Sequence, residues 1–210
     1  YVEGQSLEHL LHISQQMNTP IPKEIIYYIA IEVLTGLEYA HSISVPSNPD
    51  EPPTAILHCN LEPSNILINK QGNVKIKGFS HKCSLPKDSL FYPPDEHPDH
   101  RTDLWSVGAI LLSLLNGLEQ LDPVATITSH GNLPIDRIVQ QALHPDPKRR
   151  FQSTRAMKEA IFNQCGDIGL NAPYLLMDFI SERFPKAIAP FESETEQPTQ
   201  VSKTVAKNDL

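Results

Sequence analysis

Apolar residues recur at helical spacing in several segments of the chain. The most regular segment follows Pro22, where isoleucine, alanine, valine and leucine return every three or four residues as far as about His41. This pattern predicts a long, well-buried helix with Pro22 in its first turn. Shorter segments of the same kind predict five further helices, at residues 7–13, 104–115, 135–143, 154–162 and 174–184.

Strand patterns are fewer and shorter. Two apolar runs, residues 66–68 and 74–76, flank the turn sequence KQGN, and a glycine-containing turn between such runs predicts a small β-hairpin. A polar, proline-rich loop is predicted at 44–53, and an irregular connection at 80–100. Connections as long as the second one are usually functional or held by tertiary contacts. The predicted fold class is therefore mostly α, or α+β overall.

Composition narrows the choice of protein class. With 210 residues, 40% of them hydrophobic, the chain can bury a core, and its net charge of −8 argues against a nucleic-acid-binding surface. There is no run of about 18 apolar residues, so no membrane contact is expected. The three scattered cysteines, Cys59, Cys83 and Cys165, exclude a disulfide framework or a CxxC zinc site and favour the cytoplasm.

One segment carries the most specific chemical signal. Residues 58–65, HCNLEPSN, resemble the catalytic loop of protein kinases, H-R-D-L-x-x-x-N, and keep its histidine, leucine, proline and asparagine. Other kinase motifs follow in the expected order. They are a hinge at 1–7, a D-F-G position at 74–80, an A-P-E-like PPD at 93–95, DLWSVG at 103–108 and a D-P-x-x-R-like segment at 146–151.

The chain is therefore similar to the protein kinase family over about residues 1–165, and most similar to bacterial serine/threonine kinases. The resemblance implies a kinase-like large lobe with a short β-hairpin at the catalytic loop. The small lobe, which carries the Gly-rich loop and the strand lysine of the family, is not expected in this chain. Residues 166–186 are predicted to add a C-terminal helix, and the polar residues 187–210 to form a disordered tail.

The sequence departs from the family pattern at the positions that carry out phosphate transfer. Asn60 stands where the resemblance implies the catalytic aspartate, and Gly78 where it implies the Mg²⁺-binding aspartate. Glu62 replaces a usual lysine, and Cys59 replaces the arginine that pairs with a phosphorylated activation loop. Asn65 is the one residue of the reaction site that is kept, either as a ligand or only to hold the loop in shape.

Other matches imply structural roles. By resemblance, His58 is a packed spine residue with Phe79 beneath it, Asp103 accepts N–H bonds from the 58–65 loop, and Trp105 belongs to the core.

Two further matches concern pairs of residues. Asp95 and Arg150 match the positions of a partly buried ion pair between the activation segment and the lower part of the lobe. Val2 and Glu3 match the hinge backbone that contacts a nucleotide.

The cofactor and metal expectations follow from these departures. No cofactor is expected for this chain, whereas an active kinase would need ATP and Mg²⁺. His97 and His100 lie near Asp95 and Asp99, but without cysteines or a second pair at ligand spacing a solvated loop is favoured over a metal site.

The sequence leaves three hypotheses for function. The favoured one is a pseudokinase, a regulatory or scaffolding module that binds unidentified protein partners. The alternative is an active serine/threonine kinase of divergent chemistry whose small lobe lies upstream. The third is a decayed fragment with no activity.

Overall fold

A computed structural model describes residues 4–45, 53–79, 86, 89–95, 97–116, 134–165 and 171–183. Within them the chain forms six α-helices, each at a place where the apolar spacing predicts one. Their bounds are α1 Leu7–Gln16, α2 Lys23–Ser42, α3 His100–Asn116, α4 Pro134–Ala142, α5 Thr154–Cys165 and α6 Ala172–Arg183. The mostly α fold class is therefore correct.

Four helix starts differ from the prediction: α4 begins one residue and α6 two residues earlier than predicted, and the starts of α2 and α3 have local causes. α3 begins at His100, a full turn before its apolar pattern, because Asp99 and Thr102 cap it: the Asp99 N–H donates to Thr102 Oγ1 at 3.1 Å and the Thr102 N–H to the Asp99 carbonyl at 2.8 Å. α2 begins at Lys23 rather than at Pro22. The proline has an extended backbone and precedes the first helical residue.

The core forms around α2 and α3. α2 packs against α3, α5, α6 and the hairpin, and α3 packs against α4. Nearly every side chain of α3 from Thr102 to Leu114 is buried, as expected for a central helix with neighbours on all sides. A Cβ atom on Gly108 would lie 2.6 Å from the Ala142 Cβ, so α3 and α4 can approach this closely only with glycine at that position.

Within the described residues, the strands form two small antiparallel sheets. The predicted hairpin is present as β4 Ile66–Asn69 and β5 Val74–Ile76, and β1 Gly4–Ser6 adds a third strand beside β4. The second sheet, β2 Ser44–Val45 with β3 Thr54–Ala55, flanks the proline-rich loop and was not predicted. Two residues are too short a run to show the alternation on which strand prediction depends.

A buried ion pair ties the segment before α3 to the segment after α4. The Arg150 guanidinium donates to both carboxylate oxygens of Asp95, at 2.6 and 2.7 Å, and to the His144 carbonyl at 2.7 Å. It also lies over the Trp105 ring, 4.9 Å from the centroid, and the indole N–H donates to the Leu90 carbonyl. The Asp95–Arg150 pair that the resemblance implies is therefore present, and Trp105 is buried in the core.

The structure does not describe every residue for which a prediction was made. The hinge residues Val2 and Glu3 and the tail 187–210 lie outside the described ranges. None of the helices in those ranges is long and apolar enough to cross a membrane.

Removing Arg150 should destabilise the protein far more than removing its neighbour. Arg150→Ala leaves the buried Asp95 carboxylate without its partner, and breaking such a pair typically costs about 3–5 kcal/mol. Arg149→Ala is the matched control because Arg149 is exposed and its loss should cost under about 0.5 kcal/mol. Urea denaturation of both variants measures the difference. Equal free energies of unfolding would contradict the role given to the pair.

Candidate functional site

The 58–65 loop is held in place by one buried carboxylate from α3. Asp103 Oδ2 accepts the His58 N–H at 2.8 Å, and Oδ1 accepts the Cys59 N–H at 2.9 Å. Cys59 has a φ of 57°, a left-handed conformation that costs a non-glycine residue about 1–2 kcal/mol. The two bonds to Asp103 offset this cost, so the buried carboxylate fixes the turn at which the loop begins.

Asp103 has a third partner that sequence reasoning missed. His41, in the last turn of α2, donates from Nε2 to Asp103 Oδ2 at 2.8 Å, since a carboxylate can only accept. The two residues are 62 positions apart, and no local pattern links them. The available signal was that His41 lies four residues after Leu37 and so continues the buried face of α2, but polar side chains are also common near exposed helix ends.

His58 is fully buried and neutral. Its Nε2 donates to the Lys77 carbonyl at 2.9 Å, and its Nδ1 accepts the Asn60 N–H at 3.3 Å. Burial lowers the pKa of His58 below its ordinary value of 6.5, and this effect outweighs the opposing effect of Asp103. The Phe79 ring lies against the imidazole at 4.4 Å between centroids, as the resemblance implies, but 42% of Phe79 is exposed.

The hairpin brings together the positions that matter for chemistry. Asn65 Nδ2 donates to the Asn60 carbonyl at 2.8 Å, and the Asn65 carbonyl accepts the Lys77 N–H at 2.9 Å. Gly78 follows with a φ of 82°, and a Cβ atom there would lie 2.9 Å from Asn65 Oδ1. Asn60 and Gly78 are therefore both neighbours of Asn65, as the family resemblance implies.

Glu62 places a negative charge in the 58–65 loop. Its Oε1 accepts a hydrogen bond from Ser64 Oγ at 2.5 Å, within the short turn Pro63–Asn65 that leads into β4. Both side chains are partly buried. A negative charge is thus held beside the loop where the family resemblance implies a positive one.

The residues present do not fit Mg²⁺. This ion is bound in kinases through carboxylates and the substrate phosphates, but the two metal positions here hold the amide oxygen of Asn65 and no side chain at Gly78. The residues that the structure describes contain no group of three or more His, Cys, Asp or Glu that could hold a metal ion. The carboxylates near His97 and His100 are paired with arginines, Asp95 with Arg150 and Asp99 with Arg101.

The buried state of His58 should make stability fall in mild acid. Because its pKa is lower in the folded protein, the unfolded chain takes up the proton first, so stability present above about pH 6.5 is lost as the pH falls. The loss is at most about 1.4 kcal/mol per pH unit for one group.

Urea denaturation at pH 7.5 and 5.5 measures this loss. His58→Gln should reduce the pH dependence, whereas His12→Gln, which changes an exposed histidine, should keep it. An unchanged pH dependence in His58→Gln would show that other groups are responsible.

Comparison with known proteins agrees with this geometry. Residues 1–162 match the family model described as the protein kinase domain. A probable serine/threonine-protein kinase of Clostridium perfringens is 25% identical over 187 residues, which cover 74% of this chain and 25% of that protein. The serine/threonine-protein kinase PksC of Streptomyces coelicolor is 26% identical, with 76% and 33% covered. The chain thus spans a quarter to a third of these relatives.

Solved structures show the same fold. The kinase domain of PknI from Mycobacterium tuberculosis aligns with a TM-score of 0.60 and 21% identity, covering 79% of this chain and 64% of that one. A second structure of the same kinase domain aligns with a TM-score of 0.58 and 22% identity. With its motifs, its loop geometry and a family match over most of its length, the chain belongs to the protein kinase domain family.

Proposed function

We propose that this domain is a pseudokinase, which regulates or scaffolds protein partners and does not itself transfer phosphate. The observation that carries the proposal is the pair Asn60 and Gly78, which stand at the base and metal positions of an otherwise well-formed site. The contacts that shape the loop, from Asp103, His58 and Asn65, are all present. A domain that keeps the contacts shaping its loop, but lacks the residues needed for phosphate transfer, can still present that loop to a protein partner.

The loss of a base is the first chemical argument. The family aspartate accepts the proton of the substrate hydroxyl, and such general base catalysis typically contributes about 10²–10⁴-fold in rate. The side-chain amide of Asn60 has nearly the same shape but no useful proton affinity near neutral pH. Asn60 can therefore still orient a hydroxyl but cannot take its proton.

The second argument is electrostatic. Phosphoryl transfer depends on positive charge that stabilises the transferring group, from Mg²⁺ and from cationic side chains. Gly78 provides no ligand for the ion, and Glu62 adds a negative charge where the family has a lysine. Both changes raise the barrier for the same step, so restoring one of them alone would not restore transfer.

The proposed partner is a protein, and the candidate contact region lies beside the loop. Phe79 is 42% exposed and its ring packs on His58, in the loop that also carries the partly buried Asn60 and Glu62. An apolar anchor with polar groups around it is typical of protein-binding sites. The same proposal includes a cytoplasmic location, from the few cysteines, and no nucleic-acid partner, from the acidic charge. It includes no membrane contact by this chain, since the sequence has no run of about 18 apolar residues.

An active serine/threonine kinase of divergent chemistry remains the second candidate. The names of the two bacterial relatives favour it, and this chain covers only a quarter to a third of their length. Under this alternative, a small lobe outside this chain supplies most of the ATP-binding site. ATP and Mg²⁺ would then be cofactors, with Asn65 as the retained ligand.

The pseudokinase proposal predicts that the purified chain does not bind ATP in a Mg²⁺-dependent way. A ligand at 100 times its Kd stabilises the folded state by about 2.7 kcal/mol, which is readily seen as a rise in Tm. Thermal unfolding should give the same Tm with MgATP as with ATP plus a chelator. A rise of several degrees that requires Mg²⁺ would contradict the proposal.

Phosphate transfer should need three changes together. The test uses a fusion that supplies a small lobe before Tyr1. In this fusion Asn60→Asp restores the catalytic base and Gly78→Asp restores a ligand for Mg²⁺. Glu62→Lys restores a positive charge beside the phosphates. They act on one transition state, so single changes should give no measurable transfer. Gly78→Asp also requires Asn65 to move by a few tenths of an ångström, although aspartate is among the residues that best tolerate positive φ.

Transfer from labelled ATP to a basic protein substrate measures the outcome. The triple variant should exceed the unmodified fusion, with Arg149→Ala as a neutral control. Clear transfer by the unmodified fusion that Asn60→Ala abolishes would favour the active kinase instead.

A further inference from the structure

The helix α6 lies beyond the part of the chain that matches the family. The kinase-domain match ends at residue 162, and α6 spans Ala172–Arg183. One face of α6 nevertheless belongs to the core, because Leu176 is fully buried and Ala172 is 3% exposed. Its neighbour Leu175 is 48% exposed. This helix is therefore docked on the lobe through one side only.

α6 is docked on the turn of the catalytic hairpin. Gly72, between β4 and β5, has a φ of 76°, and a Cβ atom there would overlap the backbone carbonyl of Pro173 in the first turn of α6. On the α2 side, the Tyr28 hydroxyl donates to the Gly72 carbonyl at 3.1 Å. Burial raises the pKa of Tyr28 to about 12, so this hydroxyl keeps its proton. The turn is thus held between α2 and α6.

The other end of the same hairpin carries the candidate site. Asn65 immediately precedes β4, Gly78 follows two residues after β5, and Lys77 bonds to Asn65 and His58 through its backbone. The hairpin belongs to a small three-stranded sheet with β1, and such a sheet takes its position from what it packs against. The turn and the site residues are therefore joined by two short paired strands.

We propose that α6 is a brace outside the segment that matches the kinase-domain family, and that its docking on the Gly72 turn holds the hairpin that positions Asn65, Lys77 and Gly78. A partner or modification that releases α6 would loosen the site without touching it. The inference goes beyond the proposed function, since the brace acts on the hairpin whether the loop binds a partner or transfers phosphate.

Hydrogen exchange of the full chain tests the brace. Leu176→Ala should weaken the docking and raise the exchange rate of the hairpin amides, including Gly72 and Lys77, by about tenfold or more. Leu175→Ala removes the same side chain from the exposed face and should leave these rates unchanged. Ile138→Ala, in the buried face of α4, controls for a general loss of stability.

The outcomes separate the brace from simple destabilisation. Selective acceleration in the hairpin with Leu176→Ala, absent with Ile138→Ala, supports the proposal. Equal acceleration in α3 and the hairpin, or an unchanged hairpin, overturns it. If Leu176→Ala does not fold, Leu176→Val gives the same comparison with a smaller cavity. Phosphate transfer is not part of this readout, so failure of the proposed function would leave the result intact.

Discussion

The buried carboxylate of Asp103 is the interaction on which the site depends. It accepts the N–H groups of His58 and Cys59 and a ring N–H of His41, and so joins α2, α3 and the 58–65 loop at one point. A carboxylate with no exposed surface is stable only when its oxygens are hydrogen-bonded. The loop therefore takes the one path that satisfies Asp103, even though Cys59 must adopt a left-handed conformation to follow it.

This domain keeps the contacts that hold the kinase fold together but has other residues at the positions needed for phosphate transfer. The Asp95–Arg150 pair, its contact with Trp105 and the bonds around Asp103 are formed by long-range contacts within the core. Losing any of them would strand a buried charge or polar group and destabilise the fold. Asn60 is not constrained in this way, because asparagine and aspartate have nearly the same shape at its position. Gly78 is constrained only by its backbone, through its positive φ and its close approach to Asn65. Selection for a folded domain alone would therefore preserve the core contacts but would not preserve an aspartate at position 60.

The helices and the hairpin could be predicted because their signals are local. The helical spacing of apolar residues in α2 and the glycine turn between β4 and β5 depend on neighbours along the chain. The prediction failed where local signals are weak. The two-residue strands β2 and β3 are too short to show alternation. The first turn of α3 is polar, so the apolar pattern does not mark where the helix begins. The third strand, β1, was missed as a partner of β4 because pairing across the chain has no local pattern.

The sequence by itself determined the identity of the candidate site, since the replaced residues Asn60, Glu62 and Gly78 stand at fixed spacings from recognisable neighbours. It also determined the fold class, through the order of the motifs. Only the tertiary structure decided that His41 joins Asp103 and that α6 rests on the Gly72 turn. These contacts join segments far apart in the chain, and burial and close approach between such segments exist only once the core has formed.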